Sequence, residues 1–372
     1  LVQVFATSTA TTAADLVNYA LNLIWILAFA VFLFYGPRIQ IYFSLRKVGG
    51  SLKSLEKMRD DTKTRLIQEL SKYGGETNTI KADTDRLLSS IVIDPVAMDP
   101  SGIVYKLDHL IKTYEDYFKS KVAKLTPKAD KVTRQNLSNL VEVGMALDYL
   151  FRYVRHLYAS AKRYSDLFAV VQLQMSLPTI MDSASAYYSA TDAFAKGEPI
   201  GDSLGPLVAS KLMGDSKPQV VAEETVYSEV NYEGRKLLVV KAEGPGGTVG
   251  RPGEAIEKLL QLYPDASLVV TVDAALKLEG ENSGEVVEGV GAAIGGPGVD
   301  RYRIEGAATS KNIPMYAIVV KMSEKEAITK LKDELKAQVD EVLRRFRRLI
   351  YEKTEANATV LLAGIGNTIG VP

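Results

Sequence analysis

Reactive chemistry in this chain has to come from few residue types. Its 372 residues include no Cys and two His, against 45 acidic and 45 basic side chains. Without Cys there is no thiolate nucleophile, no disulfide framework and no Cys-ligated zinc or iron–sulfur centre. His109 and His156 stand far apart in sequence, with no ligand-like spacing to any partner, so neither a metal site nor a cofactor is expected. Carboxylates remain for acid–base work. Two of them held close together cannot both ionise cheaply, so one keeps a proton while the other can activate water.

Two further patterns carry less. Gly244, Gly246 and Gly250 give only a loose G-x-G-x-x-x-G, and a Walker spacing ending in Lys-Ser or Lys-Thr is absent, so no nucleotide site is expected. Arg344-Arg345-Phe346-Arg347-Arg348 is a basic run within a helical pattern. With a formal net charge of zero, it reads as a solvated or partner-facing helix surface, and nucleic acid is not an expected partner.

The elements that would position such groups fall into unlike parts. From Leu16 to Tyr35 the sequence has no charge, and about 20 such residues suffice to cross a hydrocarbon layer. A transmembrane helix is expected at 16–36 after a short extracytoplasmic segment, 1–15. Arg38, Arg46, Lys47 and Lys53 follow it, which by the positive-inside rule puts the bulk in the cytoplasm and the N-terminal side outside a cell membrane. A buried core helix and a signal peptide are the alternatives; the latter would carry its charge before the apolar run. Residues 37–100 read as a juxtamembrane helical linker, with exposed helices over Ser44–Leu70, a break at Gly74-Gly75 and a joint at Asp94-Pro95 and Asp99-Pro100. A helical domain is expected over 101–196. One helix starts at Ile103, the next opens at the capping pair Thr126-Pro127, and a third runs from about Arg163 to Phe194 with a kink near Pro178.

After Gly197 the composition shifts toward Gly, Val and Pro. Apolar runs at 236–241, 267–272, 315–320 and 359–364 read as buried strands. They alternate with helices at Pro252–Tyr263 and Ser323–Tyr351, the latter opened by a Ser323/Glu326 capping box. The expectation is an α/β domain over 197–372 with a mostly parallel sheet, its functional loops at the carboxyl ends of the strands.

In these loops the sequence resembles a known group. KLLVVKAEGPGGTVGRPGEAIEKLLQLYPDASLVVTVDAAL is similar to the central part of the germination proteases, and more distantly to the hydrogenase-maturation peptidases. IGGPGVDRYRIEGAATSKNIPMYAIVVKMSEKEA resembles the Gly-rich loop, basic segment and final strand of the former. The family's opening pieces are present but separated, as Gly364-Ile365-Gly366-Asn367 and Gly201-Asp202-Ser203-Leu204-Gly205-Pro206. The resemblance therefore implies a circularly permuted phosphorylase/hydrolase-like fold, with strand 359–364 parallel to 236–241, a first helix at Leu204–Met213, and Asn367 near Asp202. It also implies catalytic roles for Asp202 and Asp273, in a cleft lined by Gly246, Gly247, Gly296, Gly298 and Asn367, acting on a protein or peptide substrate. The hydrogenase-maturation branch adds a metal-holding His, and this region has none. Asp202 and Asp273 also have an architectural reading, as a helix cap and a turn at a strand end. The whole chain resembles an archaeal membrane-protein family catalogued only as a domain of unknown function. The competing functional expectation is a homo-oligomeric scaffold anchored in the lipid bilayer, with an inactive α/β domain.

Overall fold

The structure is a computed structural model that describes residues 13–74, 77–88, 102–164 and 166–372. Of the features named above, the residues before Ala13, Gly75 and the two Asp-Pro pairs lie outside the described residues. The described chain divides into two compact units. One takes the residues up to Ser54 with Phe151–Ile180, and the other takes Leu55–Leu150 with Met181–Pro372. The divisions fall inside long helices rather than at the joints read from the sequence.

Helix α1 runs Ala13–Tyr73. Its Leu16–Gly36 portion has mean hydropathy 2.1 and none of it is buried, so it is long and apolar enough to span a bilayer. In the first unit, Ile41 and Leu45 of α1 pack on Ala161, Leu167 and Val170. Over Ser44–Leu70 the helix is not merely exposed, as its Lys-rich sequence suggests. Val48, Leu55 and Thr62 are buried at seven-residue spacing, followed by Leu66 and Leu70. One buried residue per two turns is enough for a packed seam, and the intervening charges hide it from a window average.

Helices α2 (Thr77–Leu88), α3 (Ile103–Leu125), α4 (Lys131–Tyr164) and α5 (Leu167–Lys196) complete the helical region. Pro178 lies inside α5, which starts at Leu167 rather than near Arg163. Thr126-Pro127 does not open α4. The buried Thr126 hydroxyl turns back to donate to the Val122 carbonyl at 2.7 Å, closing α3. Asp130 caps α4 instead, accepting from the Thr133 N–H at 2.7 Å.

The α/β part begins with a short 3-10 turn, Gly201–Ser203, that runs into α6 (Leu204–Met213). There follow β1 (Gln219–Ala222), β2 (Thr225–Tyr232), β3 (Arg235–Ala242), α7 (Pro252–Leu262), β4 (Ala266–Leu276), β5 (Val286–Val290), α8 (Val299–Thr309) and β6 (Met315–Met322). Helices α9 (Glu324–Ile328), α10 (Asp333–Lys336) and α11 (Gln338–Lys353) lead to β7 (Thr359–Gly364). The single helix expected over Ser323–Tyr351 is thus three. The Ser323/Glu326 capping box is in place. The chain then leaves the helix because Ile200 and Lys330 form a β-bridge, with Gly201 N–H donating to Thr329 O and Leu331 N–H to Pro199 O.

The sheet has the order β1-β2-β3-β7-β4-β6-β5. Its core pairs β3–β7, β7–β4 and β4–β6 are parallel, while β1–β2, β2–β3 and β5–β6 are antiparallel. Helices α6 and α11 cover one face and α7 and α8 the other, so the central strands are apolar on both sides. As the resemblance implies, β7 lies parallel to β3, with Lys236 opposite Thr359 and Lys241 opposite Gly364.

Candidate active site

In this parallel register Gly364 of β7 faces Lys241 of β3 and Val272 of β4, so β7 stops pairing with both neighbours at one level. Beyond it the Ile365 N–H donates to Val272 O at 2.8 Å. The chain then turns through Gly366, whose φ of +129° suits glycine and few other residues. A Cβ there would overlap the Asp202 carbonyl. The turn aims the Asn367 N–H at Asp202 Oδ2, 2.8 Å away. The close approach depends equally on Gly205, where a methyl group would run into the carbonyl oxygens of Ile365 and Val272. Glycine at that position lets the start of α6 lie on the strand ends and carries Asp202 over them.

Asp273 comes from the opposite side of the sheet. Val272 points into the α6/α11 layer, so by the two-residue period of a strand its neighbour points toward α7 and α8. The strand does not end there: β4 continues to Leu276 beside β6, with Asp273 opposite Val319. Asp273 is 6% exposed. Its Oδ1 accepts from the Ala274 N–H at 2.7 Å, a donor left free where β7 has turned away. Neither architectural reading describes these contacts, since the Asp202 carboxylate takes a loop N–H rather than one of α6, and Asp273 lies within a strand.

The two carboxylates meet in a pocket of about 340 Å³ at the carboxyl ends of the strands, where open parallel sheets form their sites. Burial pushes the Asp202 carboxyl up, opposed by the Asn367 N–H. Burial also pushes Asp273 up, and the Asp202 charge adds to this; the N–H groups of Ala274 and Gly295 and the Arg301 guanidinium pull the other way, leaving it at about 7. Of the glycines expected to line the cleft, Gly296 borders this pocket. Gly298 instead precedes α8 in a left-handed conformation.

Helix α3 closes the pocket from above with Asp108, Lys112 and Glu115. Arg303 of α8 bonds to Asp108 and to Glu257, each at 3.0 Å, and Arg251 pairs with Glu115 at 2.5 Å. Burial alone would raise Asp108, but Lys112 and Arg303 hold it below the usual carboxylate range.

A second, larger cavity of about 520 Å³ shares Glu115, Val249, Gly250 and Arg251 with the first. Gly247 and Asn367 line this one. Its other wall is α4, whose amides hold both loops. Asn139 Nδ2 donates to Gly247 O at 2.7 Å, Asn367 Nδ2 donates to Asn139 Oδ1 at 2.9 Å, and the Gly247 N–H donates to Asn136 Oδ1 at 2.9 Å. Gly246 packs against Gln135 so tightly that a Cβ would overlap its Oε1, and its carbonyl accepts from the Thr368 hydroxyl at 2.7 Å. The glycine loop is thus held by a helix more than 100 residues upstream. The sequence signal for it was the polar run Gln135-Asn136 and Ser138-Asn139 inside an otherwise apolar helix pattern.

The basic run on α11 is an ion-paired surface. Arg344 and Arg345 bond Glu341, Arg347 bonds Glu233 and Arg348 bonds Glu288, while Phe346 is fully buried.

Two domain descriptions of one family cover nearly all of the sequence. Residues 22–197 match "Protein of unknown function (DUF1512) N-terminal domain", and residues 200–372 match "Domain of unknown function (DUF1512) C-terminal". The chain belongs to the DUF1512 family. The boundary between the two descriptions falls just before Gly201 and Asp202. No curated protein and no solved structure matches the chain.

Proposed function

We propose that the α/β part is a carboxylate-dependent hydrolase of the peptidase class, permuted relative to the germination proteases, with Asp202 and Asp273 as its acid–base pair. The observation that carries this reading is that two desolvated carboxylates, brought from opposite faces of one sheet, line a single pocket and repel each other there. Burial raises both carboxyls; the N–H that Asp202 accepts from Asn367 works against this and favours its charged form, while burial, with the Asp202 charge added, keeps a proton on Asp273 near neutral pH. Asp202 then acts as base: it takes a proton from water as the water oxygen bonds to the substrate carbonyl carbon. Asp273 acts as acid, giving its proton to the departing amine as the C–N bond breaks. The step needs neither thiol nor metal.

The apolar Leu16–Gly36 stretch serves as a single-pass anchor in this proposal, with the basic residues after it facing the cytoplasm and the hydrolase held at the inner membrane surface. The test is peptide hydrolysis by the purified chain and by its Asp202→Asn and Asp273→Asn variants. Loss of at least about a hundredfold in each variant is expected for removal of a general acid or base. Equal rates in all three would reject the assignment and leave the scaffold reading.

A further inference from the structure

Two basic surfaces of this chain differ in what they have left to bind. The run on α11 spends its charges on Glu341, Glu233 and Glu288. The other lies in the first unit. Beyond Gly36 that unit contains eight Lys and Arg residues and one acid, Asp166, a net of +7 in a chain whose formal net charge is zero. Arg38, Arg46, Lys47, Lys162 and Arg163 enter no ion pair among the described residues. Arg163 lies instead over the Tyr164 ring, 5.4 Å from its centroid. Asp166 turns its carboxylate onto the start of α5, accepting the N–H groups of Phe168 at 2.9 Å and Ala169 at 3.2 Å. So concentrated and unmatched a charge calls for an anionic partner.

The packing sets where these charges stand. Helix α4 runs antiparallel to this part of α1: Tyr158 lies against Gly49, and one turn later Ala161 joins the cluster with Ile41 and Leu45. The tip where α4 ends at Tyr164 and α5 starts at Leu167 is therefore directed toward Gly36, the end of the apolar stretch. Ile41 and Leu45 stand about 7 and 14 Å beyond Gly36 along the axis of α1. A headgroup layer extends about 5–8 Å beyond the hydrocarbon, and the potential of anionic lipid reaches about 8 Å further at physiological salt. The tip also presents Phe168, 78% exposed, and Tyr164, 68% exposed. Such rings are costly in water and settle at a membrane–water interface.

We propose that the α4–α5 tip is a second membrane contact, seated on an anionic lipid surface with Lys162 and Arg163 on the headgroup charges and Phe168 and Tyr164 in the interface. This goes beyond the hydrolase reading and rests only on Leu16–Gly36 being the anchor. The occupant is lipid, rather than nucleic acid or another protein, because the tip points along α1 toward the apolar stretch. A single helix can rotate about its axis and tilt in a bilayer, and a second contact beside it fixes both.

The chain has no Cys, so one introduced Cys takes a nitroxide label at a unique place. The full chain would be labelled in turn through Phe168→Cys, Met175→Cys and Phe29→Cys and reconstituted into nanodiscs of phosphatidylcholine, with and without about 30% phosphatidylserine. Power-saturation electron paramagnetic resonance then compares the access of oxygen, which partitions into lipid, with that of a water-soluble nickel chelate. Met175, 77% exposed, is as open as Phe168 but lies two turns further along α5, so it reports what exposure alone gives. With phosphatidylserine present, the oxygen-to-nickel ratio at 168 should exceed that at 175 at least about fivefold, and Lys162→Glu with Arg163→Glu should bring it down to the value at 175. A ratio at 168 equal to that at 175, one indifferent to phosphatidylserine and to the charge reversals, or a label at 168 shielded from both reagents by protein would overturn the proposal. The label at 29 judges the anchor separately. Lipid exposure there with a water-exposed 168 would leave the anchor standing and remove the tip, and water exposure at 29 with lipid exposure at 168 would do the reverse.

Discussion

The two cavities share a wall but hold their acids in opposite ways. Asp202 lies over the end of β7 and Asp273 beside that end within β4, each fixed by a backbone N–H that the sheet leaves unpaired. In the larger cavity Glu142 projects from the middle of α4, a helix whose own N–H groups are engaged by its turns, and nothing among the described residues fixes its carboxyl. A strand end offers free donors and a precise position, which suits groups that must move protons. A helix face offers no such donor.

The most damaging way to break this contrast is at the strand ends. Gly205→Ala would push α6 off the Ile365 and Val272 carbonyls and displace Asp202 with it. It should cost at least about 2 kcal/mol of stability and abolish hydrolysis, as chemical denaturation and a peptide assay would read. If the variant is as stable and active as the parent, the close approach is not what places Asp202.

Next in size is a pH effect on stability. The folded-state pKa of Asp273, about 7, lies above the ordinary aspartate value. The folded form therefore favours the protonated acid: stability from this group is complete below the unfolded pKa of about 4 and is lost as pH rises through about 7. Asp273→Asn should accordingly raise Tm by at least about 3 °C at pH 8 and by much less at pH 4. A Tm difference that is constant across this range would contradict the burial of a charge there.

Asn139 is a positioning residue common to both cavities. Its amide ties α4 to Gly247 and Asn367, and through Asn367 to Asp202. Asn139→Ala should cost about 1 kcal/mol of stability. It should also lower kcat roughly tenfold, since it shifts the base, with a smaller rise in KM because its amide lines the larger cavity. A change confined to KM would place Asn139 in binding instead. The smallest effect is expected one residue away. Ser138 bonds only the Arg134 carbonyl of its own helix, at 3.0 Å, so Ser138→Ala should stay within about 0.5 kcal/mol of the parent and keep its activity.

What could be read from the sequence follows the same physical division. Strands β3, β4, β6 and β7 are buried on both faces, so each appears as a continuous apolar run. Strands β1, β2 and β5 lie toward the sheet edges and mix exposed with buried positions, and the sequence reading passed over them. The β2–β3 hairpin turns at Glu233-Gly234, with φ of +52° and +71°, a geometry usually marked by Asn-Gly or Asp-Gly; Glu in the first place obscures it. The break at Thr329–Leu331 depends on a bridge to Ile200, a partner far away in sequence.

For the site, the motifs around Asp202, Asp273 and Asn367 were legible because each belongs to a short run with a recognisable pattern. Glu115, Asn139 and Glu142 were not. Their relation to the strand ends is set by how α3 and α4 pack on the sheet, and helical periodicity tells which face is apolar without telling what the polar face meets.

The central claim is that Asp273 holds a proton near neutral pH because it is buried and because the charge of Asp202 beside it adds to the effect of burial. Infrared difference spectroscopy of the parent minus Asp273→Asn, followed through a pH titration, reads the protonated carboxyl of Asp273 directly. The account predicts a midpoint near 7 that moves down when the same difference is taken in the Asp202→Asn background. A midpoint in the ordinary aspartate range, or one that Asp202→Asn leaves in place, would contradict it.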